Sequence, residues 1–173
     1  MSHSDRDLSL TLRYGDVESI REAIIRLMKQ ALAAEDDVEK RKIRRIFIGL
    51  PYENRSKVKI AALQALKEVG YWDSEIFDSI FILTKNDPDY EIRKLAEETI
   101  LEVLKKTNDK KGSLLQVLKA IYNRETVISP LDAIKACGIS VANELLEDEN
   151  VPNNVKELIE FCLNELKKEE RMS

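Results

Sequence analysis

The feature that most constrains this chain is a recurring amphipathic unit, sharpest in Asp87-Pro88-Asp89-Tyr90-Glu91-Ile92-Arg93-Lys94-Leu95-Ala96-Glu97-Glu98-Thr99-Ile100. Asp87 and Asp89 offer carboxylates to the free amides of a helix start, Pro88 is held near helical φ, and Glu91 sits in the positive field of the first turn. Ile92, Leu95, Ala96, Thr99, Ile100 and Val103 then recur at spacings of three and four, so one stripe is apolar while Arg93, Lys94, Glu97 and Glu98 face away. The same frame lies on other parts of the chain. With Val58 on Ile92, Lys59 falls on Arg93, Ala62 on Ala96 and Leu66 on Ile100. Ile20 with Arg21 and Val155 with Lys156 open further copies. A weaker one starts at Thr126, with Val127 in the basic place and Pro130 in the first turn. The anchors Ile20, Val58, Ile92, Thr126 and Val155 are 38, 34, 34 and 29 residues apart. That period accommodates two short helices and two turns, and self-similarity on this scale is the mark of stacked repeats.

The motif Asp-Pro-x-x-x-Ile-Arg-x-x-Ala, carried by Asp87 to Ala96, resembles the HEAT repeat, including its shorter bilin-lyase-like (PBS-lyase HEAT-like) variants. The resemblance covers residues 16–169 and is sharp only in the Asp87 unit. It implies an all-α fold, a right-handed α-α superhelix (HEAT-like solenoid) of about five helical hairpins. Residues 1–15 would form an N-terminal arm or cap and residues 16–173 the repeat domain. The alternative is a globular helical bundle, which any single stripe also fits. The resemblance further implies that the second helix of each pair lies toward the concave side. Its basic residue (Arg21, Lys59, Arg93 or Lys156) would then pair with a carboxylate of the adjacent repeat.

Local signals predict helices over 16–34, 38–50, 55–69, 74–86, 89–106, 113–123, 130–138, 140–146 and 152–169. Asn54 or Ser56 is a candidate cap for the third of these, Gly70 its stop, and Asp73 the cap of the next. The alternation of Leu8, Leu10, Leu12 and Tyr14 fits either an extended arm or a cap on the first helix. Charged residues make up 35% of the chain and aromatics 6%, a balance suited to helices with solvated outer faces. No run of eighteen apolar residues exists, and Met1-Ser2-His3-Ser4-Asp5 lacks a secretory profile, so no membrane span and a cytoplasmic location are expected. Cys137 and Cys162 fall on apolar stripes as small core residues, with a disulfide between neighbouring repeats the alternative.

Catalytic chemistry finds little footing. His3 is the only histidine, so no Ser-His-Asp set, multi-histidine metal site or the His-Glu pairs of HEAT-type di-iron hydroxylases can be assembled. The five glycines are scattered at 15, 49, 70, 112 and 138, which excludes a phosphate-binding glycine loop. Adjacent carboxylates such as Glu97 with Glu98, or Asp148 with Glu149, read as solvated faces. Glycosylases built from HEAT-like repeats need an aromatic and carboxylate pocket, and the lone Trp72 reads as a packing residue. The expectation is therefore a non-enzyme with no metal and no cofactor.

Charge is distributed unevenly. Residues 40 to 59 hold eight bases and one acid, a local +7 in a chain of net charge −4, which leaves −11 elsewhere. Lys40, Arg41, Arg44, Arg45, Arg55, Lys57 and Lys59 form the candidate partner-binding patch. Its expected ligand is an acidic protein surface, the chain acting as a scaffold or adaptor. The alternative is nucleic acid held through its phosphates, a salt-dependent contact without base stacking, since apart from Tyr52 the patch lacks interleaved aromatics and Phe47 faces inward. The structural counter-reading pairs these bases with Glu35, Asp36, Asp37, Glu39 and carboxylates of neighbouring repeats.

Overall fold

The computed structural model describes residues 3–34 and 37–172. Among them the chain is all-helical, with ten α-helices, one 3-10 turn and no strand. The helices are α1 (His3–Tyr14), α2 (Val17–Ala33), α3 (Val38–Gly49), α4 (Ser56–Val69), α5 (Ser74–Asn86), α6 (Tyr90–Lys106), α7 (Lys110–Tyr122), α8 (Pro130–Cys137), α9 (Ile139–Glu147) and α10 (Asn153–Met172). The 3-10 turn, Leu50–Tyr52, follows α3, where Pro51 prevents further α-helix.

Local chemistry sets most of the boundaries. Asp16 Oδ1 accepts from the Ser19 amide at 2.8 Å and opens α2. Asp73 Oδ1 accepts from Glu75 and Ile76 at 3.0 and 3.1 Å, and Asp89 Oδ1 from Glu91 at 2.9 Å, opening α5 and α6. Ser129 and Pro130 open α8 together. Three expectations are corrected. Neither Asn54 nor Ser56 caps α4: the capping position is Arg55, whose side chain makes no capping bond. Helix α7 begins at Lys110 rather than 113, because Asp109 Oδ1 accepts from the Gly112 amide at 2.8 Å and starts it a turn earlier. Thr126, the fourth anchor, lies in the 123–129 connection and not in a helix. There its hydroxyl meets that of buried Thr84 at 2.7 Å, so the apolar positions of that unit come into helical register only from Pro130.

The leucine alternation near the N-terminus belongs to a helix: Leu8 and Leu12, four apart, pack toward the core, while Leu10 and Tyr14 are exposed. Helix α2 packs on α3 and α4, α4 on α6, α6 on α8, and α8 on α10. In parallel, α3 packs on α5 and α7 on α9, with a lighter contact between α5 and α7. The two series are joined by α5 on α6, α7 on α8 and α9 on α10. Short α8 and α9 leave room for α10 to reach α7 as well. The core runs through all of these, with Phe47, Phe77, Phe81, Ile20, Ile24 and Met28 among its largest members. Cys137 and Cys162 are both buried free thiols, and burial pushes the Cys137 thiol up to about 11.

Gly70 closes α4 in the left-handed region at φ 74°. Lys106, at the end of α6, folds over it and donates from Nζ to the Lys67 and Glu68 carbonyls at 2.9 and 3.1 Å. A Cβ at position 70 would stand 2.5 Å from Lys106 Cβ.

Candidate basic interface

The basic residues divide among α3, the 53–55 connection and the first turn of α4, and they meet three different fates. Lys59 is a buried structural tie. The apolar stripe of α4 carries it inward, where Nζ donates to Asp87 Oδ2 at 2.8 Å, with side chains 9% and 2% exposed. Asp87 in turn accepts the Asp89 amide on Oδ1 at 2.9 Å, and its carbonyl accepts from Arg93 Nη1 at 2.6 Å. One carboxylate thus joins α4 to the turn before α6. Of the basic residues at the position after the anchor, Lys59 alone is seen bound to a carboxylate of the next unit. Arg21 Nη1 instead donates to Gln64 Oε1 at 3.2 Å, and Arg93 serves the carbonyls of its own turn.

Arg44 and Arg55 hold carboxylates nearer the surface. Arg44 Nε donates to Asp73 Oδ2 at 2.8 Å, fastening α3 to the cap of α5 and raising the guanidinium pKa through that hydrogen bond. Arg55 grips Glu53 with two nitrogens, at 2.9 and 3.1 Å, and donates from Nη1 to the Leu12 carbonyl of α1 at 3.0 Å. The hydrogen bond from Arg55 outweighs desolvation and holds the Glu53 carboxyl below its ordinary range. Lys42, a member of the run outside the candidate set, is likewise held, by Asp5 Oδ1 at 2.7 Å and Glu39 Oε1 at 3.4 Å. Asp5 is the principal cause of its raised pKa.

Lys40, Arg41, Arg45 and Lys57 make no ion pair among the described residues. Arg41 and Arg45 are exposed, Lys40 and Lys57 half-buried. The expected pairing with Glu35 and Asp36 lies outside the described residues. The observed partners are Asp5, Glu39, Glu53, Asp73 and Asp87. The seven candidates therefore split into three with structural work (Arg44, Arg55, Lys59) and four that make no ion pair among the described residues (Lys40, Arg41, Arg45, Lys57). Tyr52, 83% exposed, stands at the end of this surface.

Sequence reading passed over α1 as a neighbour of this surface. Its signal was the spacing Asp5, Leu8, Leu12, which places one carboxylate and two leucines on one helical face. Between α1, α2 and α3 lies a cleft of about 260 Å³, lined by Asp5, Leu8, Ala23, Leu27, Gln30 and Lys42 among others. A shallower groove of about 250 Å³ between α4 and α6 holds Ile60, Leu95, Glu91, Lys94 and Glu98. Near it Glu97 has its pKa raised, by desolvation first and then by Asp132 and Glu98. Among the described residues no three His, Cys, Asp or Glu side chains gather in an arrangement fit for a metal ion. Trp72 donates from Nε1 to Gln116 Oε1 at 2.9 Å, which ties it to α7. No described helix is long and apolar enough to cross a membrane.

No family profile matches the chain, and neither the curated proteins nor the solved structures yield a match.

Proposed function

We propose that this chain is a non-catalytic HEAT-like adaptor that binds a partner protein through an extended helical surface. The observation that supports this reading most is the order of packing. From α2 on, even-numbered helices lean on the next even-numbered one and, from α3 on, odd on the next odd, while α2 makes no substantial contact with α8, α9 or α10. Packing of this kind fits a right-handed α-α superhelix of hairpins, in which each unit touches its neighbours and one flank stays open. On that flank, Lys40, Arg41, Arg45 and Lys57 form the contact surface and their ligand is acidic. Exposed cations of this sort steer association and register more than they add affinity.

The same four cations also favour a second reading, phosphate contact with nucleic acid. A triple variant, Lys40→Glu, Arg41→Glu and Arg45→Glu, separates the two while sparing Arg44, which holds α5. The adaptor reading expects crosslinked partner protein to be lost from the variant and a labelled duplex or RNA to be retained by neither chain. Retention of nucleic acid by the unaltered chain, falling steeply with salt and abolished in the variant, transfers the function to the second reading.

A further inference from the structure

We propose that the chain associates with itself head to tail, the exposed cationic face of α3 on one copy docking against the exposed acidic face of α10 on the next. This rests on the part of the adaptor reading that makes Arg41 and Arg45 a contact surface for an acidic protein, and it names a second copy of this chain as a protein that fits. The first ground is matched surplus charge toward the two ends of the packing order. Residues 37–59 hold eight bases and three acids, and residues 139–173 nine acids and four bases, so the surplus is +5 in one stretch and −5 in the other. Internal ion pairs do not remove it. Lys40, Arg41, Arg45 and Lys57 are unpaired among the described residues, and so are Glu144, Glu147, Glu149, Glu157 and Glu160, all five exposed. α3 makes no substantial contact with α9 or α10, so the two surpluses do not neutralise each other within one copy.

The second ground is what each face presents. In α3 the exposed Arg41, Arg45 and Ile48 stand at i, i+4 and i+7, on the side away from buried Ile43 and Phe47. In α10 the buried stripe of Val155, Ile159, Cys162 and Leu166 turns Glu157, Glu160, Phe161 and Asn164 outward, all exposed. Lys168, on the same outer side, is already held by Glu165 at 3.2 Å. Phe161 is 61% exposed and Ile48 43%. The last unit of a stack needs a polar outer face to stand alone, and a phenylalanine among carboxylates is the mark of a face that is covered. Each face therefore sets two unpaired charges of one sign beside an apolar side chain. The third ground is the sign pattern. A two-fold contact through either face would set like charge against like, whereas α3 on α10 sets opposite charges together and leaves one face of each kind free for further copies.

The test follows the full chain by sedimentation velocity. Its weight-average mass is expected to rise above that of one chain with concentration. The association should weaken at least about tenfold between about 0.01 M and 0.15 M salt, as the screening length falls from about 30 to 8 Å. Two variants take the contact apart: Arg41→Glu with Arg45→Glu, and Glu157→Arg with Glu160→Arg. Either variant alone should associate at least about a hundredfold more weakly than the unaltered chain, because like charges then face each other. Mixed in equal amounts, the two associate again, since the intact α3 face of one meets the intact α10 face of the other. Phe161→Ser, which alters no charge, should weaken the association of the unaltered chain at least about tenfold. A full chain that stays single at every concentration in low salt overturns the proposal. So does association that survives in either charge variant, a mixture that stays single, or a Phe161→Ser chain that associates as before. The Glu157, Glu160 variant keeps all the cations of α3 and α4, so its capture of partner protein reports on the adaptor reading alone. Capture without self-association ends this inference and leaves that reading standing; self-association without capture does the reverse.

Discussion

Lys59 and Arg45 belong to one basic run in the sequence, yet the first is sealed against Asp87 and the second is exposed with no carboxylate partner among the described residues. What separates them is the helical face and the neighbour that the face meets. Lys59 lies on the side of α4 that packs on α6, whose preceding turn supplies Asp87; Arg45 lies on an exposed side of α3. Arg44, one residue earlier, is intermediate, with its partner Asp73 buried and its own side chain partly in water. A run of like charge is thus a mixture of fasteners and free groups, and burial of the opposing carboxylate sorts them.

The largest expected effect lies at the sealed end of this comparison. Lys59→Met leaves Asp87 buried and unpaired, and should lower stability in urea unfolding by about 3–5 kcal/mol, since breaking a buried pair strands a charge. Adding Asp87→Asn should recover part of that loss; a single variant within 1 kcal/mol of the parent, roughly the cost of an exposed pair, would place Lys59 with the surface residues. Arg44→Met tests the intermediate case. It removes one charged hydrogen bond from Asp73 but leaves the capping bonds to Glu75 and Ile76, so a loss of about 1–2 kcal/mol is expected in the same assay. At the free end, Arg41→Glu with Arg45→Glu should shift stability by no more than about 0.5 kcal/mol. A larger loss would mean that these arginines, too, are fasteners.

The helices were legible in the sequence because their causes are local. Asp16, Asp73, Asp89 and Ser129 cap within three residues of themselves, and the spacing of Ile92, Ala96, Thr99 and Ile100 needs no distant information. The fates of the charges were not legible, because the partners are remote. Arg44 reaches Asp73 across 29 positions and Lys59 reaches Asp87 across 28. Likewise, Thr126 opened the weakest copy of the repeat and held its place only by spacing; its hydroxyl meets that of Thr84, 42 residues earlier, in a connection rather than a helix. Alternation in Leu8, Leu10, Leu12 and Tyr14 left an extended arm and a cap on the first helix both open, because four residues at period two also contain the i, i+4 pair of a helix.

The closure of α4 by Lys106 carries a consequence for how the chain comes together. The last carbonyls of that helix are satisfied by a side chain lying 38 and 39 residues further on. Glycine at 70 gives that side chain its space as well as ending the helix. α4 is therefore complete only once α6 has docked, and the two helices share one terminus between them.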